Sequence, residues 1–479
     1  MLINKQTWTE LMSNPILKTD GYKFTQWPQY PKNTSYIYSY YEARNGAKFP
    51  TTTWAGLQYI LYEHFSKHIS NADILEAKDF CKGYFGTYTI FNEAGWNHIL
   101  NDHGGYLPLK IKAVAEGMTI PVSNILLSME NTCPKDYWVT NYYETILSEI
   151  WYPITVATID REVKKLLLKF LQQTGTPELI DSLIVFMMND FGFRGATSHE
   201  SAAIGGFGHL VNFKGTDNPA SVLLAREFYG CPMAGNSIPA SEHSTITSWT
   251  QELEVEAFKN MISVYGNQPL YACVSDSYDI YRACSEYWGT ELKEDVLAAK
   301  GTLVVRPDSG IPHKVVLECL ERLGAKFGIS YNIKGYKVLN PKVRIIQGDG
   351  VDLEGIRKIA NEMIFNGWSA DNISFGMGGG LLQKDIHRDI QKFAFKCSSA
   401  VVDGQQRDVF KSPLDSDKIS KKGRMSLIYR DNKYKTVPDS DRPNDLLQLV
   451  FENGQVINPT TLDEIRIRSD SDLLKESLF

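Results

Sequence analysis

The stretch PASEHSTITSW (239–249) holds one histidine, His243, among small hydroxyl residues and beside Glu242. It follows an apolar run, and a second acid, Asp276, stands just after the next one, YACVS. A neutral imidazole oriented by a carboxylate acts as a base or a nucleophile near neutral pH. Comparable polar signatures recur along the chain: NFKGTD with Asp217, SDSYD with Asp276 and Asp279, RPDSG with Arg306 and Asp308, QGDG with Asp349. Singly, each reads as a turn or helix cap. Together they place several carboxylates and at least two arginines at one rim, where they would meet sugar hydroxyls or a ligand amide. DFGFRG (190–195) adds Phe191, which could stack on a flat ring, and the cation Arg194.

The strongest local signal is GMGGGLLQK (376–384), with four glycines in five positions. Glycines let backbone N–H groups approach an anion, and a helix opening there adds its dipole. The string is neither GxxxxGK[ST] nor GxGxxG. Arg388 and Lys396 come next, then Lys411 and the run KISKKGR (418–424), which reads mostly as a solvated face. His64 and His68 share an i,i+4 spacing but lack a third ligand, so they read as surface residues. No metal-ligand cluster is evident.

These signatures need a scaffold that gathers them. From residue 183 a short apolar run, a polar signature and usually a helix recur. The runs are LIVFMMND, HLVNF, MAGNSIP, YACVS, TLVVRP, VRIIQ and NISFG, with CSSAVV (397–402) as a plausible eighth. VDLEGIRKIANEMIF places Leu353, Ile356, Ile359, Ala360 and Met363 on one face, with Asp352 as N-cap, and HKVVLECLERLG does the same with Val316, Leu320 and Leu323. Strand–helix alternation implies a parallel sheet. Its unit count and length favour a closed β/α barrel over an open doubly wound sheet, and either puts its ligand at the carboxyl ends of the strands. The barrel is expected over 181–395. Residues 1–180 read as a mixed α+β domain with strands in 110–117 and 123–130 and a long helix broken near Pro153, completed by a return over 396–479.

Composition narrows the class. The 479 residues carry a net charge of −6, so nothing global suggests a nucleic-acid binder. Seven scattered cysteines without a CxxC favour reduced thiols and a cytoplasmic setting. No apolar run is long enough to span a bilayer, and MLINKQTWTELM shows no signal-peptide pattern.

Taken together, LKTDGYKFTQWPQYP, GLQYIL, GWNHIL, ENTCPKDYWVTNYYETILSEIWYPITVAT, DFGFRG, HLVNFKGTD, PASEHSTI, VSDSYDIY, RPDSG, IQGDGVD, GGGLLQK and KKGRMSL resemble the nicotinamide phosphoribosyltransferases, in order, from about residue 17 to about 465. The resemblance implies an α/β fold: an irregular (β/α) barrel with a second, discontinuous α+β domain, assembled as a homodimer with shared active sites. It implies transfer of the phosphoribosyl group of 5-phosphoribosyl 1-diphosphate to nicotinamide, giving nicotinamide mononucleotide and diphosphate in NAD salvage. Mg²⁺ would accompany the diphosphate, and ATP would stimulate turnover by phosphorylating His243, which Asp276 orients.

By matched position, Asp217 would accept the amide N–H, and Phe191 with Tyr22 of the other subunit would sandwich the pyridine. Arg306 and Asp308 would lie along amide and ribose, and Asp349 would bind ribose hydroxyls. Gly378 and Gly379 would cradle the 5′-phosphate, and Ser237 and Gly348 complete the substrate-binding set. Arg388, Lys396, Arg44 and Lys411 would supply cations to phosphates, with Arg194 and His243 facing the diphosphate. Met377 stands where vertebrate members have a small polar residue. Two other readings stay open: a nicotinate phosphoribosyltransferase, and a non-catalytic phosphosugar- or nucleotide-binding protein.

Overall fold

The computed structural model describes residues 13–412, 420–439 and 444–477; the starting stretch 1–12 and Lys418 and Ile419 of the basic run lie outside them. Two compact units divide the chain: Met1–Thr158, Glu227–Cys231 and His387–Phe479 form the first, Ile159–Arg226 and Pro232–Ile386 the second.

The second unit is built on parallel strands: β1 (Met188–Asp190), β2 (Gly215–Thr216), β3 (Leu270–Val274), β4 (Thr302–Arg306), β5 (Val343–Gln347) and β6 (Ile373–Met377). Their order is β2-β1-β6-β5-β4-β3. Residues 236–241 close the ring. Asn236 donates to Lys214 and accepts from Thr216 at 2.8 and 3.0 Å, while Ala272 donates to Pro239 at 2.8 Å and accepts from Ser241 at 3.0 Å. The β-branched interiors of β4 (TLVVR) and β5 (VRIIQ) are buried, as expected of strands covered on both faces. Outside the ring run α1 (His199–Leu210), α2 (His243–Thr247), α3 (Pro312–Phe327), α4 (Leu353–Phe365) and the single turn α5 (Gly379–Leu382). In α3, Val316, Leu320 and Leu323 are buried. In α4, Ile356, Ile359, Ala360 and Met363 are buried, Leu353 is half-buried, and Asp352 caps by accepting from Gly355 N–H at 2.8 Å.

Several strand expectations shift. In LIVFMMND, Leu183 and Ile184 end the helix Ile180–Ile184 and only Met188–Asp190 is strand. HLVNF finishes α1 and its turn, so the strand is the Gly-Thr of KGTD itself. MAGNSIP contributes a single bridge at Asn236, with another at Ala240 just beyond it, rather than a regular strand. CSSAVV belongs to Phe393–Val402, an antiparallel strand of the first unit rather than an eighth barrel strand. The long helix is Trp151–Thr174, and its break precedes Pro153, which sits in the first turn where a missing N–H costs nothing. Short apolar runs do not separate helix from strand by periodicity.

The first unit holds a seven-stranded antiparallel sheet in the order 405–408, 393–402, 34–43, 125–131, 109–113, 448–452, 455–456. Thr34–Ala43 lies between Phe393–Val402 and Ile125–Asn131, so the C-terminal return supplies a neighbour to an early strand. All seven cysteines are free. Among the described residues no helix is long and apolar enough to cross a membrane.

Candidate active site

Parallel strands deliver their carboxyl ends to one rim. Phe191 follows β1, Asp217 follows β2, Asp276 stands two residues past β3, Arg306 ends β4 with Asp308 two residues on, Gly348 and Asp349 follow β5, and Gly378 and Gly379 follow β6. A cavity of about 800 Å³ opens there, lined by Phe191, Arg194, Asp217, Arg306, Asp308, Asp349 and others. A hollow of about 380 Å³ shares Phe191, Arg194, Asp349 and Gly378 with it and adds Gly379, Gly380 and Lys384.

The Phe191 ring packs on the Ala272, Val304 and Ile346 cluster at the rim. It lies so close to Gly376 that a Cβ there would stand 2.0 Å from ring carbon Cε2. Any side chain at position 376 would therefore displace the ring. The Arg306 guanidinium sits 5.8 Å from the same ring, on the scale of a cation–π contact. A Cβ on Gly348 would lie 3.3–3.5 Å from Asp308, Phe191 and Arg306 alike, which places these groups around one point. Gly350 takes φ +64°, a left-handed turn that lets the chain double back into α4 after Asp349.

His243 is the first residue of α2, whose N-cap is Glu242. Glu242 is spent locally, on the Ser244 hydroxyl. The orienting carboxylate is Asp276, 3.0 Å from His243 Nε2 and almost fully buried. Asp276 is itself held, since its second oxygen accepts from Asp308 N–H at 3.1 Å and from the Ser309 hydroxyl at 2.5 Å. Asp308 in turn accepts from Arg306 Nε and Nη2 at 3.2 and 3.0 Å, and its Oδ2 lies 4.0 Å from His243 Nδ1. With the proton on Nε2 facing Asp276, the free lone pair is on Nδ1. The imidazole is 46% exposed, so a reactant can reach it.

Asp217 accepts from the Ser237 hydroxyl. Solvent reaches its carboxylate through the open rim, yet protein atoms crowd it, and that desolvation pushes the carboxyl up against the opposing pull of Ser237 and Arg306. Behind it stands a residue that sequence reading quoted but gave no role. Asp190, fully buried, accepts from Gly192 N–H at 2.7 Å and Asn218 Nδ2 at 2.9 Å. It ties the loop bearing Phe191 to the loop bearing Asp217. Ser309 is a second such residue. An acid ending a strand inside DFGFRG was the available signal for Asp190; nothing in RPDSG distinguished Ser309 from a turn serine.

The glycine loop opens α5, which is a single turn rather than the helix expected. Lys384 pairs with Asp352 at the start of α4, Nζ to Oδ2 2.9 Å. Met377 is fully buried, so the departure there is a matter of core packing.

Tyr22, Arg44, Arg388, Lys396 and Lys411 belong to the first unit. Tyr22 is 58% exposed. Burial pulls the Lys396 ammonium down, and Lys411, Arg44 and Arg388 add to that fall while Glu144 opposes it. Four cations thus share one neighbourhood, the arrangement that attracts a polyanion. In the basic run, Lys421 bonds Glu42, Lys422 lies 3.7 Å from Asp408, and Arg424 bridges Glu130 and Asp439 at 3.0 and 3.3 Å, so these three brace the fold. His64 is not at the surface: it is buried beside the Lys18 ammonium at 3.0 Å, and burial pushes its imidazole down to about 3. His68 is exposed against Tyr106.

Comparison with known proteins adds descent to this geometry. Residues 186–455 match the nicotinate phosphoribosyltransferase (NAPRTase) family, and residues 14–111 match the nicotinamide phosphoribosyltransferase N-terminal domain. The nicotinamide phosphoribosyltransferase of Xanthomonas campestris pv. campestris (strain 8004) is 46% identical over 473 residues, 96% of this chain and 99% of that protein. That of Acinetobacter baylyi is 32% identical over 494 residues, covering 95% and 97%. Among solved structures, nicotinate-nucleotide pyrophosphorylase from Pyrococcus furiosus superposes with a TM-score of 0.64 at 16% identity over the whole of both chains. Human nicotinic acid phosphoribosyltransferase gives 0.57 at 17% identity, over 95% of this chain and 93% of that one. At such identities the structural likeness speaks to fold alone. With the family matched over more than half its length and a relative this similar from end to end, the chain belongs to the nicotinate phosphoribosyltransferase (NAPRTase) family.

Proposed function

We propose that this protein transfers the phosphoribosyl group of 5-phosphoribosyl 1-diphosphate to nicotinamide, yielding nicotinamide mononucleotide and diphosphate, as the names of its 46% and 32% identical relatives suggest. The observation that carries the choice of substrate is the Asp217 carboxylate in the cavity beside the Phe191 ring. A pyridine amide stacked on Phe191 donates its N–H to Asp217. A pyridine carboxylate there meets like charge: at ~4 Å and an effective dielectric of ~20 the repulsion is roughly 4 kcal/mol, about a thousandfold. The family's description names nicotinate, which makes the acid the second reading, and Asp217 weighs against it.

In the reaction the bond from C1′ to the diphosphate oxygen breaks and a bond from C1′ to the pyridine nitrogen forms. No proton moves, and the ring nitrogen becomes cationic. Asp308 and Asp349, lining the cavity, favour the positive charge that develops on the sugar and ring, while Arg194 and the Gly378–Gly379 backbone meet the phosphates. The oxygen donors Asp276 and Asp308 suit a hard divalent ion, and Mg²⁺ would neutralise charge on the departing diphosphate. In a homodimer the exposed Tyr22 and the Arg44, Arg388, Lys396 and Lys411 cluster of one subunit complete the site of the other. ATP acts as a phosphoryl donor: Nδ1 of His243 takes the γ-phosphoryl group, ADP leaves, and Asp276 holds the Nε2 proton. The cytoplasm, with its reduced thiols, is the setting that fits seven free cysteines.

The test is incubation with 5-phosphoribosyl 1-diphosphate, Mg²⁺ and either nicotinamide or nicotinate, with products read by mass. Nicotinamide mononucleotide with released diphosphate is expected, at rates that ATP raises in the wild type and not in His243→Ala. Preferential turnover of nicotinate, or binding without turnover of either base, would overturn the reading.

A further inference from the structure

Away from the barrel, four side chains with metal-ligating atoms meet inside the first unit. His98 lies in the helix Glu93–Asp102 and His103 is its C-cap. Cys133 is the N-cap and Asp136 the last residue of the 3-10 turn Pro134–Asp136. One donor atom from each, two imidazole nitrogens, a sulfur and a carboxylate oxygen, all lie within 4.8 Å of one another. His98 Nδ1 stands 3.1 Å from both Asp136 oxygens, and His103 Nε2 stands 3.0 Å from Oδ2. Around a zinc ion with bonds of about 2.0–2.3 Å, the edges of a ligand tetrahedron measure roughly 3.3–3.8 Å. The donors are thus already at closing range.

Three observations separate this group from an ordinary hydrogen-bonded cluster. First, His103 Nε2 is shut off from solvent and makes no hydrogen bond, although the Asp136 carboxylate is beside it. A buried ring nitrogen without a hydrogen-bond partner is left unsatisfied, and a metal ion at the shared centre would satisfy it. Second, the Asp136 side chain is fully buried, and its ion-pair partners among the described residues are the two histidines. A buried carboxylate needs compensating charge. A divalent ion balances the carboxylate and a thiolate and leaves both imidazoles neutral. Third, His98 Nε2, on the far side of its ring, is 3.7 Å from Asp102 Oδ2. That is an ion-pair distance rather than a hydrogen bond, and it leaves Asp102 within reach of the supporting position that a carboxylate often takes behind a metal-bound histidine.

We propose that His98, His103, Cys133 and Asp136 form a structural zinc site. One thiolate, two imidazoles and one carboxylate favour Zn²⁺ over Mg²⁺ or Ca²⁺. Four protein ligands leave no open position, so the ion is a staple rather than a catalyst. It ties the end of the helix Glu93–Asp102 to the turn that follows strand Ile125–Asn131. Binding displaces the thiol proton to solvent. The histidine side chains are 17% and 25% exposed, which gives the ion a way in. The two pairs are spaced H-x4-H and C-x2-D, within the ranges common for zinc-ligand pairs, with the histidine pair first and an aspartate in place of one cysteine. This inference rests on residues outside the barrel and stands or falls apart from the reaction proposed above.

The full-length protein, stripped with a chelator and kept reduced, is titrated with Co²⁺ and, separately, equilibrated with Zn²⁺ and analysed by plasma mass spectrometry. About one zinc per chain is expected, with intense visible d–d bands of tetrahedral Co²⁺ and a thiolate-to-cobalt charge-transfer band in the near ultraviolet. Cys133→Ser should abolish the charge-transfer band, and Asp102→Asn should weaken zinc binding about tenfold or more while leaving the stoichiometry unchanged. A wild-type cobalt spectrum that is octahedral and lacks the thiolate band overturns the proposal without reference to any variant. So does a thiolate band that survives in Cys133→Ser.

Discussion

Asp217 is where one side chain decides between two substrates that differ by an amide and an acid. Its carboxylate keeps Ser237 as a hydrogen-bond donor and faces Arg306 across the cavity, so it is oriented as well as charged. Replacing it with serine removes the repulsion toward an acid and one acceptor for the amide. We expect Asp217→Ser to shift the ratio of kcat/KM for nicotinate over nicotinamide upward, on the order of a hundredfold to a thousandfold for the ~4 kcal/mol involved. Steady-state kinetics with both bases checks it; an unchanged ratio removes Asp217 as the selector. Neighbouring positions explain why the selector works: Gly376 leaves the space that the Phe191 ring fills, and Asp190 fixes both loops from below.

At the scale of elements, a buried pair holds the short strand β2 behind Asp217. His209, near the end of α1, has Nδ1 2.6 Å from Asp160 Oδ2 and donates from Nε2 to the Gly215 carbonyl at 2.8 Å. With Asp160 ionised, both contacts need an N–H and the ring is an imidazolium; the raised His209 favours that state, while burial raises Asp160 too. Burial alone would pull its pKa down, but Asp160, Asp190 and the Gly215 carbonyl outweigh that and raise it. A raised histidine stabilises fully below its unfolded value of about 6.5, and that share is lost as pH rises through the folded value. We therefore expect denaturant midpoints to fall above neutral pH in the wild type, with a shallower fall in His209→Gln. Removing one partner, as in Asp160→Ala, should cost about 3–5 kcal/mol by leaving the other charge uncompensated. Equal pH slopes in wild type and His209→Gln would show that the pair is neutral.

For the whole molecule, the proposed reaction draws on residues that the two units hold separately: Phe191 and Asp217 in one, Tyr22 and the Lys396 cluster in the other. If a homodimer shares its sites between subunits, two inactive variants can rescue each other. Tyr22→Ala and Phe191→Ala, mixed and reassembled, give heterodimers in which one of two sites is intact. Random pairing predicts recovery of about a quarter of wild-type activity, against none for either parent. A mixture as inactive as its parents would place both residues in a site made by a single subunit.

The sequence by itself determined the alternation of apolar runs and helices, the buried faces of α3 and α4, the Asp352 cap and the polar signatures at strand ends, because periodicity and turn chemistry are local. It also pointed to Asp276 as the partner of His243, since adjacent parallel strands end at one rim. It could not place strand edges inside apolar runs such as HLVNF, because short apolar runs look alike in helix and strand, nor send CSSAVV to the antiparallel sheet, because its partner strand Thr34–Ala43 lies hundreds of residues away. Tertiary structure alone decided that Glu242 turns to Ser244, that Lys384 pairs with Asp352, that His64 is buried, and that His98, His103, Cys133 and Asp136 converge. All but the local Glu242 contact depend on where two separated segments meet in space, which spacing along the chain does not encode.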